Sequence, residues 1–361
     1  MIFYLTVLLV GWLFSYGHAK TENRLLSAFF LLCAFAAITL PAVLRTEIGT
    51  DYNLYYDGLE ILAAGGEFDD WWEPGIMALA EWVISAGLDS QWFFAILSIV
   101  TYASVLLSFE KRHHHVGTFV YLIVCYLPSY NMMRQALAIA MCYPVVAFLR
   151  RGRWLASLGI VCAAVLFHRS VLLYFVLFAV LVVLRNVSVR AVVVAGISMA
   201  CISLLLPVEQ FLFGAMARIP LLSRYAIEYS GDAFYAAAAG RSLLGYALWA
   251  GVFGFLSYLL YGGEGDRWRK GLALTSFLGA VAVVFSVKMV ILDRVLILFQ
   301  SLLPFVFVEA MMTYSTDLRK KAGIGLALAL MLVYFIYHYT RVDENGSSAD
   351  GVVPYRSFLT E

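Results

Sequence analysis

Residues 25–44 read LLSAFFLLCAFAAITLPAVL, twenty positions without a single charge. As a helix rising about 1.5 Å per residue, this stretch reaches roughly 30 Å, the thickness of a bilayer's hydrocarbon core. Residues 271–287 and 323–340 are similar. Over the whole chain of 361 residues, 63% are apolar and 14% charged. A typical soluble domain is about 45–50% apolar and about 25% charged. That excludes a soluble enzyme, a disordered regulator and a disulfide-stapled secreted module. The apolar runs are continuous, whereas a membrane β-barrel alternates apolar and polar residues. The reading is an all-α polytopic membrane protein.

Polar breaks divide the chain into apolar segments at 1–16, 25–44, 91–109, 116–130, 135–150, 154–168, 170–184, 190–206, 241–261, 271–290, 294–313 and 323–340. They predict about 12 transmembrane helices, with 1–16 as the first span rather than a cleaved leader. Basic clusters orient them. Arg150/Arg151/Arg153, Arg185/Arg190, Arg267/Arg269/Lys270 and Arg319/Lys320/Lys321 are expected in the cytoplasm, with Lys20, Arg24, Lys111 and Arg112. This threading works when 75–87 does not cross by itself, which predicts a re-entrant or interfacial helix there. The expected organisation is one transmembrane domain, 1–340, with external loops at 45–74 and 207–240 and a polar tail at 341–361. Amphipathic helices on the outer interface are expected within 207–240.

The net charge of +1 says nothing about partners, but the distribution of charge does. The external cations are mostly arginine, which grips phosphate with a two-pronged fork where lysine offers a point charge. Arg134 sits in SYNMMRQALAIA with apolar sequence on both sides, so it either snorkels to the headgroups or forms an anion clamp at a helix N-terminus. His168-Arg169-Ser170 interrupts a long apolar stretch. The break is a tight hairpin or a place for acid–base chemistry at the outer face. Asp293-Arg294 marks another outer turn, with Arg294 a candidate phosphate ligand. Loop 45–74 combines eight acids with Tyr52, Tyr55, Tyr56, Trp71 and Trp72. It reads as a sugar-binding cleft or as an interfacial aromatic belt beside a solvated acidic loop. Neither a DxD, an HExxH nor a Walker-type glycine loop occurs, and the five cysteines read as reduced small hydrophobes.

Five ordered fragments carry a resemblance. RTEIGTDYNLYYDGL at 45–59, WWEPGIMAL at 71–79, NMMRQALAIAM at 131–141, RRGR at 150–153 and FHRSVLLY at 167–174 resemble the EpsG-type exopolysaccharide polymerases, relatives of Wzy-type O-antigen polymerases. The resemblance implies a GT-C-like glycosyltransferase in a bacterial inner membrane, active on its periplasmic or outer side. Its implied substrate is an oligosaccharide repeat unit on undecaprenyl pyrophosphate, and its product an O-antigen, capsule or exopolysaccharide. It implies no cofactor, no metal and no nucleic acid, and a chain-length regulator and a flippase as companions.

On that footing, negative charge developing on pyrophosphate calls for preorganised arginines. Arg134, Arg169 and Arg294 are the candidates, with Arg45 behind them. Asp51, Glu73 and His168 compete as the base that takes the acceptor's proton, His168 being favoured because it is expected nearest the arginines. Tyr52, Tyr55, Trp71, Trp72 and Gln135 would hold sugar. The rival readings are another lipid-linked-glycan transferase or ligase, and a flippase or other transporter of lipid-linked glycan.

Overall fold

The structure, a computed structural model, describes residues 1–66, 72–184, 187–206, 208–218, 223, 243–261, 267–287, 291–341, 348 and 350–359. Helices dominate throughout. Among the described residues there is no strand, only an isolated antiparallel bridge between Arg45 and Ser357. The chain divides into two compact units: Met1–Phe175 together with Met331–Glu361, and Val176–Leu330.

In the first unit, α1 (Ile2–Lys20) pairs with α2 (Arg24–Leu44), followed by α3 (Tyr52–Ala63), α4 (Pro74–Ser85) and α5 (Gln91–Ser108). The expected spans at 116–130 and 135–150 are instead four short helices: α6 (His114–Val124), α7 (Pro128–Asn131), α8 (Met133–Met141) and α9 (Tyr143–Arg150). Pro128 and Pro144 open α7 and α9, since proline lacks the amide that an ongoing helix needs. The hydroxyls exposed by these breaks find partners. Tyr126 donates to the Ile38 carbonyl at 2.7 Å and lies 2.8 Å from the Tyr130 hydroxyl. Next come α10 (Trp154–Val165) and α11 (Leu172–Leu184), which runs on into the second unit.

That unit contains α12 (Val189–Leu205), α13 (Val208–Met216), α14 (Leu243–Tyr261), α15 (Arg267–Ser286), α16 (Ile291–Gln300), α17 (Leu303–Thr313) and the start of α18 (Leu318–Thr340). Its half-buried ion pair, Arg269 Nε to Glu309 Oε1, measures 3.7 Å. Of the expected interfacial segment 207–240, α13 is described and most of the remainder lies outside the described residues.

Among the described residues, seven helical stretches are long and apolar enough to cross a membrane: Ile2–Lys20, Arg24–Leu44, Gln91–Ser108, Leu243–Tyr261, Arg267–Ser286, Val295–Thr313 and Leu318–Thr340. Helix α4, on the segment predicted not to cross, has 12 residues. Its reach of about 18 Å falls short of the hydrocarbon core.

The two ends of the first unit differ in character. At one end gather basic groups: Lys111 donates to the Thr21 carbonyl at 2.7 Å, and Arg150 lies 3.9 Å from Glu110. At the other end the tail is docked rather than loose. Thr46 N–H donates to Arg356 O, Gly49 N–H to Gly351 O, and Phe358 N–H to Leu44 O. Tyr4 donates to Val352 O at 2.7 Å, and Phe3 stacks on Tyr355 with ring centres 3.9 Å apart.

Candidate functional site

The Glu73 carboxylate is the hub of this second end. It is 4% exposed and precedes α4, with Pro74 at the helix's first turn. Its Oε2 receives Arg134 Nη1 at 2.8 Å. Its Oε1 accepts the Arg169 backbone N–H at 3.2 Å and lies 2.9 Å from His168 Nδ1. The imidazole contact is at ion-pair distance without the alignment of a full hydrogen bond. Burial pushes the Glu73 carboxyl up, but the adjoining His168 imidazole and the Arg134 guanidinium outweigh it and hold the group below its ordinary value. Glu73 is therefore a carboxylate at neutral pH, oriented by three neighbours.

Local sequence explains how these groups meet. Gly75 N–H donates to Leu166 O at 2.8 Å, and a Cβ on Gly75 would stand 2.9 Å from that same oxygen. Only glycine lets the start of α4 lie against the turn that follows α10. That turn holds His168 in an extended conformation between α10 and the short 3₁₀ segment Arg169–Val171. Arg134 is the second residue of α8, which begins at Met133 after the Met132 break. Its Nε donates to the Tyr55 hydroxyl at 3.1 Å, which fixes the guanidinium from α3. A further tie joins loop 45–51 to this cluster, because the Asn131 side chain accepts the Thr50 N–H at 3.0 Å. Gly49, with φ of +96°, makes that loop's turn as most side chains could not. Segments far apart in the chain thus converge: 49–55, 73–75, 131–134 and 166–169.

The model of one family matches residues 28–357, nearly the whole chain. The chain belongs to the EpsG family. EpsG proteins form a polysaccharide polymerase family. No curated protein and no solved structure matches the chain.

The other expected site residues of this EpsG protein fall into distinct places. Arg169 joins the hub through its backbone, while its side chain is exposed and makes no ion pair with a described carboxylate. Asp51 precedes α3 and accepts from the Thr50 hydroxyl at 3.2 Å. Tyr52, Tyr55 and Trp72, expected as sugar platforms, belong to a buried apolar cluster. Tyr52 stacks on Phe94 with ring centres 4.5 Å apart, and Trp72 on Phe93 at 5.6 Å. Their ring faces are occupied by protein, and Gln135 is buried as well. Trp71 lies outside the described residues, as does the side chain of Arg294, whose backbone is part of α16 in the other unit.

Arg45 stands apart from the hub. It is 1% exposed, its guanidinium lies 4.4 Å from the centre of the Tyr130 ring, and its carbonyl accepts from the Gln91 amide at 3.1 Å. Two supporting residues, Gly75 and Asn131, were missed as site builders although both belong to the recognised motifs. Their roles lie in backbone approach and in accepting an amide proton, which a search for acids, bases and cations passes over.

Proposed function

We propose that this EpsG chain polymerises oligosaccharide repeat units carried on undecaprenyl pyrophosphate, on the outer side of a bacterial inner membrane, into a surface polysaccharide. An acceptor sugar hydroxyl attacks the anomeric carbon of the growing chain, and the bond from that carbon to pyrophosphate breaks. The hydroxyl proton passes to His168 and the electron pair leaves with pyrophosphate. The observation that carries this reading is the Glu73 carboxylate facing His168 Nδ1 at 2.9 Å. A carboxylate on one imidazole nitrogen leaves the other, Nε2, as the base and stabilises the imidazolium that forms.

The same carboxylate holds Arg134 at 2.8 Å, so Arg134 is oriented before substrate arrives. Arg169 is the freer cation, exposed one residue from the base, and is suited to take up charge on the departing pyrophosphate. The buried aromatic cluster supports the hub rather than stacking on sugar.

The test uses the purified full-length protein in liposomes with lipid-pyrophosphate-linked repeat units, with and without EDTA, read by gel or mass spectrometry. The expected product is a ladder spaced by one repeat unit and unchanged by chelation. Movement of the lipid-linked glycan across the bilayer with no ladder would replace this reading with transport.

A further inference from the structure

The tail beyond α18 closes on a loop whose backbone is strained. Glu47 holds a φ of +50°, uncommon for a residue with a side chain, and Gly49 follows at +96°. The tail clasps this loop at both ends. At the root, Thr46 N–H donates to Arg356 O at 3.3 Å, and Arg356 Nη1 reaches the Glu47 carboxylate at 2.8 Å. Further along, Gly49 N–H donates to Gly351 O at 3.0 Å. The clasp is itself held firm. The buried Ser348 hydroxyl accepts the Val352 and Val353 amides at 3.2 and 3.1 Å, and Tyr355 donates to Pro41 O of α2 at 3.1 Å.

The other side of the same loop reaches Arg134. A Cβ on Gly49 would stand 2.7 Å from Asn131 Oδ1 and 2.9 Å from Tyr130 O, so loop and α7 touch through their backbones. Asn131, which accepts the Thr50 N–H, lies three residues before Arg134. The loop also runs directly into α3, whose Tyr55 hydroxyl accepts from Arg134 Nε. Two of the supports of Arg134 therefore rest on loop 45–51. Glu73 and His168 meet through Gly75 and the turn after α10, which is a separate support.

We infer that the tail, residues 350–358, is a positioning strap for Arg134. By clasping loop 45–51 it sets where Asn131 and Tyr55 hold the guanidinium, and so how tightly Arg134 grips the lipid pyrophosphate. The strap rests on the polymerase reading for that ligand. Releasing it loosens the grip on pyrophosphate and leaves the contact between Glu73 and His168 in place.

The test compares purified full-length wild type with Gly351→Val. Gly351 has a φ of +63°, which a β-branched residue adopts only under strain, so valine frees the tail from Gly49. Binding of undecaprenyl pyrophosphate in detergent is expected to weaken by about tenfold, the scale of one charge-assisted hydrogen bond out of place. In liposomes KM for the lipid-linked repeat unit rises about as much, with kcat within about twofold of the wild type, because ground-state and transition-state binding are lost together. Hydrogen exchange is expected to quicken at 45–55 and 131–134 and to stay unchanged in α5. Gly351→Asn restores affinity and KM, since asparagine tolerates the left-handed region and its Cβ comes no closer than 3.6 Å to Thr50 N. Should the valine variant fail to insert, Arg356→Glu is the milder lesion, weakening binding by about threefold and rescued by Glu47→Arg in the same chain. Wild-type affinity and KM in a variant whose loop exchanges faster would overturn the inference and leave the tail a brace for stability alone. Unchanged exchange at 45–55 would overturn it too. A wild type that binds the lipid without building a ladder would end the polymerase reading only, and weaker binding by Gly351→Val would still support the strap.

Discussion

Arg134 and Arg45 occupy the same end of the first unit and solve the same problem in opposite ways. Arg134 is half-buried and fully engaged: Glu73 takes one arm at 2.8 Å and Tyr55 takes Nε at 3.1 Å. Arg45 is more deeply buried and has an aromatic face, a cavity and no carboxylate among the described residues. The contrast teaches that burial alone does not tell what an arginine is for. A charge cancelled by an internal carboxylate is an oriented tool, whereas Arg45 rests against the Tyr130 ring face.

The contrast breaks most sharply at Glu73. Glu73→Gln leaves Arg134 without its counter-charge and His168 without its carboxylate. Polymerisation is expected to fall by about a hundredfold or more, the usual scale of lost acid–base catalysis. Chain length by gel, with membrane insertion checked separately, measures this, and normal chain lengths would remove Glu73 from the mechanism.

A smaller effect comes from Gly75→Ala, which touches no charge. The added methyl meets Leu166 O at 2.9 Å, so α4 must shift from the turn bearing His168. A cost of about 1–3 kcal/mol is expected, as for other overpacked positions. It should appear as a lower unfolding midpoint together with reduced turnover, and a midpoint equal to that of the wild type would mean that α4 yields without strain.

The smallest effect concerns acid. The Glu73 carboxyl is held below its ordinary value in the folded protein, so its contribution to stability is fully present above the unfolded-state value. That contribution is lost as pH falls through the lowered value. The difference in unfolding midpoint between wild type and Glu73→Gln should therefore shrink in acid. A difference that stays constant through the carboxylate range would show that Glu73 is not ionised in the fold.

The membrane character and the seven long apolar helices among the described residues follow from uninterrupted apolar runs, so they are legible in composition and spacing alone. Stretch 116–150 is not, because Pro128, Pro144 and the tyrosine hydroxyls cut it without lowering its apolar content much. His168, Arg134 and Arg169 are readable as interruptions of apolar sequence, and Glu73 as one of the acids of loop 45–74. Which acid would face the histidine is not, since that depends on Gly75 bringing two distant segments to within hydrogen-bond reach. Tyr52 and Tyr55 were misplaced for a different reason. With Leu59 they recur at i, i+3 and i+7, a helical stripe facing a core, and the acids interspersed among them mask that period.

The docked tail has one further consequence, and it is a matter of counting. A bilayer separates two compartments, and atoms hydrogen-bonded to each other share one. Tyr4 donates to Val352, so the chain crosses an even number of times between those two residues. Among the described residues the long apolar helices number seven, which is odd. If all seven cross, the rest of the chain must supply an odd number of additional crossings. Seven crossings alone between these two residues would not satisfy that parity.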